Sequence, residues 1–360
     1  MKFDKPKIKK ILSGIIDSDD IININHFDKE IIIDINSTNP TLKHKKDLDN
    51  KIIENLNKNY SKDFKYKLNI NVVKPTISQN VNRLENIKNI IAVSSAKGGV
   101  GKSTLTANIA CSLKKMGFSV GVLDADIYGP SMHIMFDLVG SKPLAVNVDG
   151  KSKMSPIKSY GIKVLSIGFF TNMDQAVVWR GPMASKALNQ LIFDADWGKL
   201  DFLLIDLPPG TGDIHLSIMQ KISINGALII STPQIVALAD ARKGVSMYQQ
   251  DNINIPVLGI VENMAYYKTE KDNIKHYIFG KDGAKNLAED FQIPFLGEIP
   301  IIQQIRESAD VGRPLAVDED SDVANIYNEI TKKMIKFLVE RNKNLPPTEI
   351  LKIKTMAGCQ

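Results

Sequence analysis

The chain has 360 residues, of which 43% are hydrophobic and 24% charged, with a formal net charge of +6. This composition is typical of a globular protein long enough for one large and one small domain, and no apolar run reaches the ~18 residues of a membrane helix. The positive charge is dispersed rather than gathered in a basic patch, so neither a membrane nor a nucleic acid is an expected partner. The first residues lack the apolar segment of a signal peptide, which predicts a cytoplasmic protein.

Residues 1–75 are predicted to form a small α/β domain. Leu48, Ile52 and Leu56 follow one another at intervals of four, which places them on one face of a helix. The predicted elements of this domain are a helix at 7–15, strands at 21–27 and 30–36, a helix at 42–57 and a strand at 66–73.

A polar stretch without periodicity, residues 76–89, is the predicted linker. Beyond it, over residues 90–345, apolar strands alternate with helical patterns, which predicts an α/β domain with a doubly wound, mostly parallel sheet covered on both faces. Residues 346–360 show no packing pattern and are predicted to be a flexible tail. The predicted strands of the large domain are 90–94, 120–124, 163–167, 202–206, 227–231, 257–261 and 294–299, followed by a last helix at 323–339.

The first strand of this domain leads into the sequence SAKGGVGKST at residues 95–104. Between a strand and a helix, such a glycine-rich P-loop directs backbone N–H groups and the helix N-terminus at phosphates. Lys102 is expected to reach the β- and γ-phosphates, and Ser103 to bind Mg²⁺. ATP and Mg²⁺ are therefore the predicted cofactors. The predicted nucleotide contacts are Lys97, Gly98, Gly99, Val100, Gly101, Lys102, Ser103 and Thr104.

Two further strands of the predicted sheet end in aspartates. Asp124 begins the sequence DADIYGPS, and Asp206 follows four apolar residues and begins DLPPGTGD, a Walker B pattern. Each aspartate alone could merely cap a helix. Because ligands bind at the carboxyl ends of parallel strands, three such motifs in this order favour a nucleotide site in which Asp124 and Asp206 help to bind Mg²⁺.

Seven motifs along the chain resemble, in the same order, those of the Mrp/ApbC family. Members of that family are P-loop ATPases with a deviant Walker A loop, related to MinD and ParA, which carry or assemble iron–sulfur clusters. The motifs are KGGVGKST (97–104), DADIYGPS (124–131), VWRGPM (178–183), DLPPGTGD (206–213), STPQ (231–234), VENM (261–264) and IFG (278–280).

This resemblance implies a homodimer with two ATP molecules near its interface. The mechanism predicted for such a site is a slow ATP hydrolysis that acts as a switch. The resemblance implies that Lys97 contacts the partner's phosphates and that Asn263 contacts adenine. It also implies that Asp126 orients the attacking water in the site where Lys102 neutralises the charge of the phosphates. It also implies that apo iron–sulfur proteins or assembly factors are partners, and the small N-terminal domain is similar to one found in such factors.

The chain departs from the family at the cluster ligands. Family members carry a Cys-x-x-Cys pair between the VENM and IFG motifs, whereas Thr269 and Asp272 stand at those positions here. Two cysteines are present. Cys111 lies among apolar residues of the helix after the P-loop, which predicts a buried thiol, and Cys359 in the tail is the candidate cluster ligand.

Three functions therefore remain open. The first is an ATP-dependent iron–sulfur cluster carrier or assembly factor that transfers clusters to apoproteins. The second is a nucleotide-switched scaffold or adaptor that has lost cluster binding. The third is a positioning ATPase similar to MinD or ParA, which is disfavoured because no basic amphipathic helix follows residue 340.

Overall fold

The structure is a computed structural model that describes residues 3–16, 21–27, 30–37, 42–61, 63–72, 84–171, 181–269, 274–318 and 321–351. The chain divides into two compact units. One comprises residues 1–80 with 341–347, and the other comprises residues 81–340 with 348–360. Among the described helices, none combines the length and the apolarity needed to cross a bilayer.

The small unit contains every element predicted for it. Its three strands lie in the order β1-β2-β3, with β1 antiparallel and β3 parallel to β2. Side chains of β2 alternate between buried and partly exposed, since successive residues of a strand point to opposite faces. Isoleucines of the buried face pack with Leu48, Ile52 and Leu56 of the second helix. The elements are α1 (Lys5–Leu12), β1 (Ile21–Phe27), β2 (Glu30–Ser37), α2 (Leu42–Asn59) and β3 (Lys65–Val72).

The large unit is built on an eight-stranded sheet. In chain order the remaining strands are β4 (Ile87–Ser94), β5 (Val120–Asp124), β6 (Leu144–Val148), β7 (Lys151–Ser155), β8 (Ile157–Ser159), β9 (Ile162–Ser166), β10 (Leu200–Asp206), β11 (Gly226–Ser231), β12 (Val257–Asn263), β13 (Tyr267–Lys268), β14 (Lys275–His276) and β15 (Phe295–Ile299). The sheet order is β15-β12-β11-β4-β10-β5-β9-β8. All neighbouring pairs are parallel except β8 with β9.

Helices cover both faces of this sheet. They are α3 (Lys102–Lys115), α4 (Met132–Met135), α5 (Gly181–Phe193), α6 (Asp213–Met219), α7 (Ile235–Tyr248), α8 (Gly283–Phe291), α9 (Gln303–Asp310) and α10 (Asp322–Asn344), with single 3₁₀ turns at Ile167–Phe169 and Leu315–Val317. Ile90 and Ala92 of β4 belong to the core shared with α5 to α8, whereas Ile91 and Val93 belong to the core shared with α3 and α10. The predicted doubly wound α/β fold is therefore confirmed.

Some predicted boundaries are wrong. β4 begins at Ile87, within the predicted linker, because Leu84 and Ile87 are buried in the core although polar residues separate them from the apolar run. The rest of the linker up to residue 83 lies outside the described residues. The predicted flexible tail is packed at its start: Leu351 is buried, and its amide donates to the Met219 carbonyl at 3.0 Å. Residues 352–360 lie outside the described part of the chain.

Candidate nucleotide site

The P-loop joins β4 at the centre of the sheet to the N-terminus of α3. Gly99 and Gly101 have φ of +79° and +89°, a left-handed conformation that glycine adopts without strain. Space around Gly101 is also restricted, because a Cβ there would overlap the side-chain amide nitrogen of Asn263. Two of the glycines of the motif, Gly99 and Gly101, are thus required by the backbone path.

Lys102, Ser103 and Asp206 come together as the sequence predicts. The Lys102 ammonium lies 2.8 Å from Asp206 Oδ2, and the Ser103 hydroxyl donates to the same oxygen at 2.7 Å. The hydroxyl of Thr106 donates to Asp206 Oδ1 at 2.8 Å, a contact that the sequence motifs did not predict. Asp206 is fully buried, and Lys102 is 7% exposed. Burial opposes the charge of Lys102, but the carboxylate of Asp206 outweighs it, so the pKa of Lys102 is raised.

This donor set fits Mg²⁺. Hydroxyl and carboxylate oxygens, supplemented by phosphate oxygens, are the ligands that Mg²⁺ prefers in nucleotide sites. Ser103 Oγ and Asp206 Oδ2 converge on one point at the edge of the sheet. In the described residues there is no group of three or more His, Cys, Asp or Glu side chains arranged around a metal position. Phosphates and water would therefore have to complete the coordination.

Asp124 is held differently from Asp206. Its Oδ2 accepts hydrogen bonds from the amides of Ser131 and Met132 at 2.9 and 3.0 Å and from the Ser166 hydroxyl at 2.8 Å. The carboxyl is fully buried, and burial, with the nearby charge of Asp206, raises its pKa to about 7. Asp124 thus anchors the loop after β5 to the start of α4. Its contact with Mg²⁺ stays a prediction.

The buried carboxyl of Asp124 predicts a pH-dependent stability. Because its pKa is raised above the ordinary 3.8, the folded protein keeps a proton that the unfolded chain loses between about pH 4 and pH 7, so stability is lost as pH rises through this window. Asp124→Asn, which cannot ionise, should therefore gain in stability relative to the wild type by about 3 kcal/mol from pH 5 to pH 8. Urea unfolding in EDTA without nucleotide measures this gain. Asp149→Asn at an exposed turn is the control, and a pH-independent difference for Asp124→Asn would contradict the assignment.

Asp126 and Asn263 both face the P-loop. Asp126 Oδ2 lies 3.6 Å from the Lys102 ammonium, and its Oδ1 accepts from the Gly129 amide at 3.2 Å. Burial raises the pKa of Asp126, although Lys102 opposes this shift. The Asn263 side chain, at the end of β12, donates to the Val100 carbonyl at 2.8 Å. Asn263 therefore holds the P-loop itself, and its predicted contact with adenine stays a prediction.

Lys97 differs from Lys102 in its surroundings. Its side chain is only partly buried, and no hydrogen-bonding or ionic partner for it occurs in the part of the chain that the structure describes. Gly98 and Gly99 beside it are exposed. Thr104 lies in the first turn of α3, where its carbonyl accepts from the Asn108 side chain at 2.8 Å. Lys97 is thus available for a ligand, whereas Lys102 is already paired within the chain.

The Walker B loop, residues 207–212, is joined to the P-loop by backbone hydrogen bonds that no sequence pattern indicated. The Leu207 amide donates to the Val93 carbonyl at 3.0 Å, and the Gly210 amide donates to the Ser95 carbonyl at 2.9 Å. Gly210 has φ of +97°. The Gly210 bond thus ties the Walker B loop to the start of the P-loop, and the Leu207 bond ties it to the strand before the P-loop.

Two short strands flank the positions at which the family carries its cysteines. Strand β13 pairs antiparallel with β14, Thr269 follows β13, and Asp272 lies outside the described residues, as do Cys359 and residues 178–180 of the VWRGPM motif. Cys111 is buried as predicted, and burial raises its pKa to about 12. A thiol in this state is a poor metal ligand, because the thiolate is the ligand form.

The fold and the site define a P-loop nucleotide-binding protein with a deviant Walker A loop. A family model described as NUBPL iron-transfer P-loop NTPase, of the ParA group, matches residues 86–335. The chain belongs to this family.

Named relatives are similar over most of this region. An iron-sulfur cluster transfer protein NUBPL from Dictyostelium discoideum is 49% identical over 257 residues, which cover 71% of this chain and 78% of the relative. An iron-sulfur cluster carrier protein from Aquifex aeolicus is 46% identical over 264 residues, covering 73% of this chain and 71% of the relative.

Two solved structures share the fold. A nucleotide-binding protein from Archaeoglobus fulgidus, solved in complex with ADP, is 40% identical, has a TM-score of 0.57, and aligns over 66% of this chain and 92% of its own. The cell-division ATPase MinD from Pyrococcus furiosus is 24% identical with a TM-score of 0.51, over 69% of this chain and 98% of its own. The likeness to MinD shows the fold alone.

Proposed function

We propose that this protein is a homodimeric, ATP-hydrolysing carrier or assembly factor that transfers iron–sulfur clusters to apoproteins in the cytoplasm. The observation that carries this proposal is a complete Lys102–Ser103–Asp206 site in a chain 49% identical to a protein named for cluster transfer. ATP hydrolysis would switch the protein between two conformations, because the Walker B loop is hydrogen-bonded to the P-loop and would respond to loss of the γ-phosphate.

The geometry suggests how these side chains act. Ser103 and Asp206 would hold Mg²⁺, which when bound offsets phosphate charge. Lys102 occupies the place opposite Asp206 until phosphates arrive and then turns to the β- and γ-phosphate oxygens, where charge develops in the transition state. Asp126, on the other side of Lys102, positions the attacking water, and Lys97 of one subunit reaches the partner's phosphates.

The cluster is the cargo in this proposal, and its ligands must come from few cysteines. Cys111 is unsuited because it is buried with a raised pKa. Cys359 would then supply one thiolate from each subunit, and a client or a small thiol would supply the rest of the four-cysteine set that such clusters need.

Anaerobic reconstitution with iron and sulfide tests this function. We expect about one cluster per dimer in the wild type, none in Cys359→Ser, and an unchanged content in Cys111→Ala. Iron and acid-labile sulfide are counted per dimer and compared with the visible absorption spectrum. Absence of a cluster from all three proteins, with ATP hydrolysis intact, would refute the carrier function.

That outcome would favour the second candidate, a nucleotide-switched scaffold or adaptor. The specific observation in its favour is that Thr269 stands where the resemblance places a cluster cysteine. In that case the nucleotide would control only the dimer and the surface it presents to partners.

Lys97→Ala should bind MgATP with an affinity within about threefold of wild type but hydrolyse it at least ~100-fold more slowly, since a cation supplied in trans acts mainly on the transition state. Binding is measured with a fluorescent nucleotide and turnover by phosphate release. Lys285→Ala, an exposed lysine of α8, is the matched control.

Mixing two inactive variants separates a trans from a cis role. In a heterodimer of Lys97→Ala with Lys102→Ala, one site has its own Lys102 and receives Lys97 from the other subunit. If subunits exchange freely, the mixture should regain roughly a quarter of the wild-type rate. No recovery in a mixture shown to contain heterodimers would mean that Lys97 acts within its own subunit.

A further inference from the structure

His215 is a buried histidine beside the nucleotide site that neither motif nor mechanism uses. It lies in the first turn of α6, directly after the Walker B loop, and is 1% exposed. Neither of its ring nitrogens has a hydrogen-bond partner in the described part of the chain. Burial and the nearby ammonium of Lys102 lower its pKa to about 4, so the ring is neutral at physiological pH.

A fully buried imidazole without partners is unfavourable. Each buried polar atom without a hydrogen bond loses the interaction it had with water, and native proteins keep few of them. The Gly212 carbonyl lies near enough to the ring to oppose the lowering of its pKa, but it accepts from the backbone amide of His215 at 3.0 Å, and by distance and angle it is not a hydrogen-bond partner of either ring nitrogen. An apolar residue would fill this position better, which indicates that the imidazole serves another state of the protein.

The surroundings of His215 indicate which state that is. The Walker B loop separates His215 from Asp206, which is paired with Lys102. Residues 211–213 are exposed, and Gly210 has φ of +97°, a left-handed conformation that glycine adopts without strain. At the other end of the same connection, the Ser95 hydroxyl is also buried without a partner, while its carbonyl holds the Gly210 amide. Unsatisfied polar groups thus lie in the P-loop and in the helix turn that follows the Walker B loop.

We infer that His215 is a positioning residue for ATP hydrolysis, an inference that rests on the proposed ATPase function. When MgATP binds, the phosphates draw Lys102 away from Asp206, and the Walker B loop moves over the P-loop. A backbone group of that loop then takes the free hydrogen-bonding positions of the neutral imidazole. His215 thereby fixes the loop in the arrangement that supports hydrolysis, and it is released when the γ-phosphate leaves.

Two substitutions of His215 test this role. His215→Leu removes both ring nitrogens but keeps an apolar side chain of similar bulk, whereas His215→Gln keeps a donor and an acceptor. We expect His215→Leu to raise the melting temperature of the nucleotide-free protein by about 2–4 °C, because it removes unsatisfied buried groups. Its kcat should fall at least about tenfold with KM for ATP changed less than about twofold. His215→Gln should recover at least about half of kcat on the same reasoning.

An exposed histidine serves as the control for these substitutions, and three outcomes would contradict the role of His215. His276→Leu, an exposed histidine of β14, should change neither quantity. An unchanged kcat in His215→Leu, or equal losses in the Leu and Gln variants, would overturn the inference. A lowered melting temperature with equal losses of binding and turnover would overturn it as well, since that is the behaviour of a packing residue.

Failure of the proposed function gives a different result. If the wild type hydrolyses no ATP, the ATPase proposal fails, and the inference is tested by thermal shifts instead. Wild type should then be stabilised more by Mg²⁺ with a non-hydrolysable ATP analogue than by MgADP, and His215→Leu should lose that difference. A difference that persists in the variant would overturn the role of His215 in sensing the γ-phosphate.

Discussion

Lys102→Ala is expected to abolish nucleotide-dependent turnover and also to destabilise the nucleotide-free protein. Its ammonium lies 2.8 Å from Asp206 Oδ2 and 3.6 Å from Asp126 Oδ2, in a site where Asp206 is fully buried. Removing one partner of a buried ion pair leaves an uncompensated charge, which costs about 3–5 kcal/mol. Loss of a preorganised cation at the phosphates costs at least about 100-fold in rate. Phosphate release and urea unfolding measure the two effects.

Lys102→Arg separates the two roles of this lysine. It keeps the positive charge, so it should recover more of the stability than of the turnover, because the planar guanidinium cannot reproduce the reach of the ammonium into the glycine-rich loop. Lys142→Ala, an exposed lysine outside the site, is the control for handling and purity. Wild-type turnover in Lys102→Ala would show that this P-loop is not a hydrolytic site.

The core of the fold could be predicted from the sequence because parallel strands that are buried on both faces consist of consecutive apolar residues. β5 has the predicted bounds, Val120–Asp124, and all five of its residues are buried. An apolar run flanked by turn residues carries this information locally. The P-loop could be predicted equally well, because the glycines required by its left-handed φ angles lie within one short stretch of the sequence.

Elements without such a local pattern were missed. Strands β6 and β7 pair with each other outside the main sheet, and none of their residues is buried, so the sequence of neither strand shows the pattern of a core strand. Leu351 is buried, and its amide binds the carbonyl of Met219, which is more than a hundred residues away in the chain. The short segment around Leu351 has no hydrophobic periodicity that would indicate this contact.

Within the nucleotide site, the sequence motifs predicted which residues take part but not which residues they are hydrogen-bonded to. Ser166 holds Asp124 and Asn263 holds Val100, yet the members of each pair are 42 and 163 residues apart in the chain. Hydrogen bonds between distant residues depend on the strand order, which a single sequence leaves undetermined. For this reason the motif predicted Asp124 as a magnesium ligand but did not indicate that three donors of its own chain hold its Oδ2, and its contact with Mg²⁺ stays a prediction.

Asp126→Asn is expected to bind MgATP normally and to hydrolyse it at least ~100-fold more slowly. The substitution keeps the shape of the side chain and an oxygen for the Gly129 amide, so the loop after β5 should keep its path. It removes the charge beside Lys102 that would orient and activate water. Single-turnover phosphate release, compared with nucleotide binding, measures the chemical step apart from product release.

The pH profile makes the assignment of Asp126 specific. Because burial raises the pKa of this carboxyl, and because a base must be ionised to act, wild-type turnover should fall as the solution is acidified through that pKa. The acidic limb should be absent from the residual activity of Asp126→Asn but present in Asp149→Asn, which keeps the site. An acidic limb that persists unchanged in Asp126→Asn would assign the titration to another group, and wild-type rates in that variant would exclude Asp126 from the reaction. Lost turnover with retained binding and a lost acidic limb would instead identify Asp126 as the residue that prepares the water for attack.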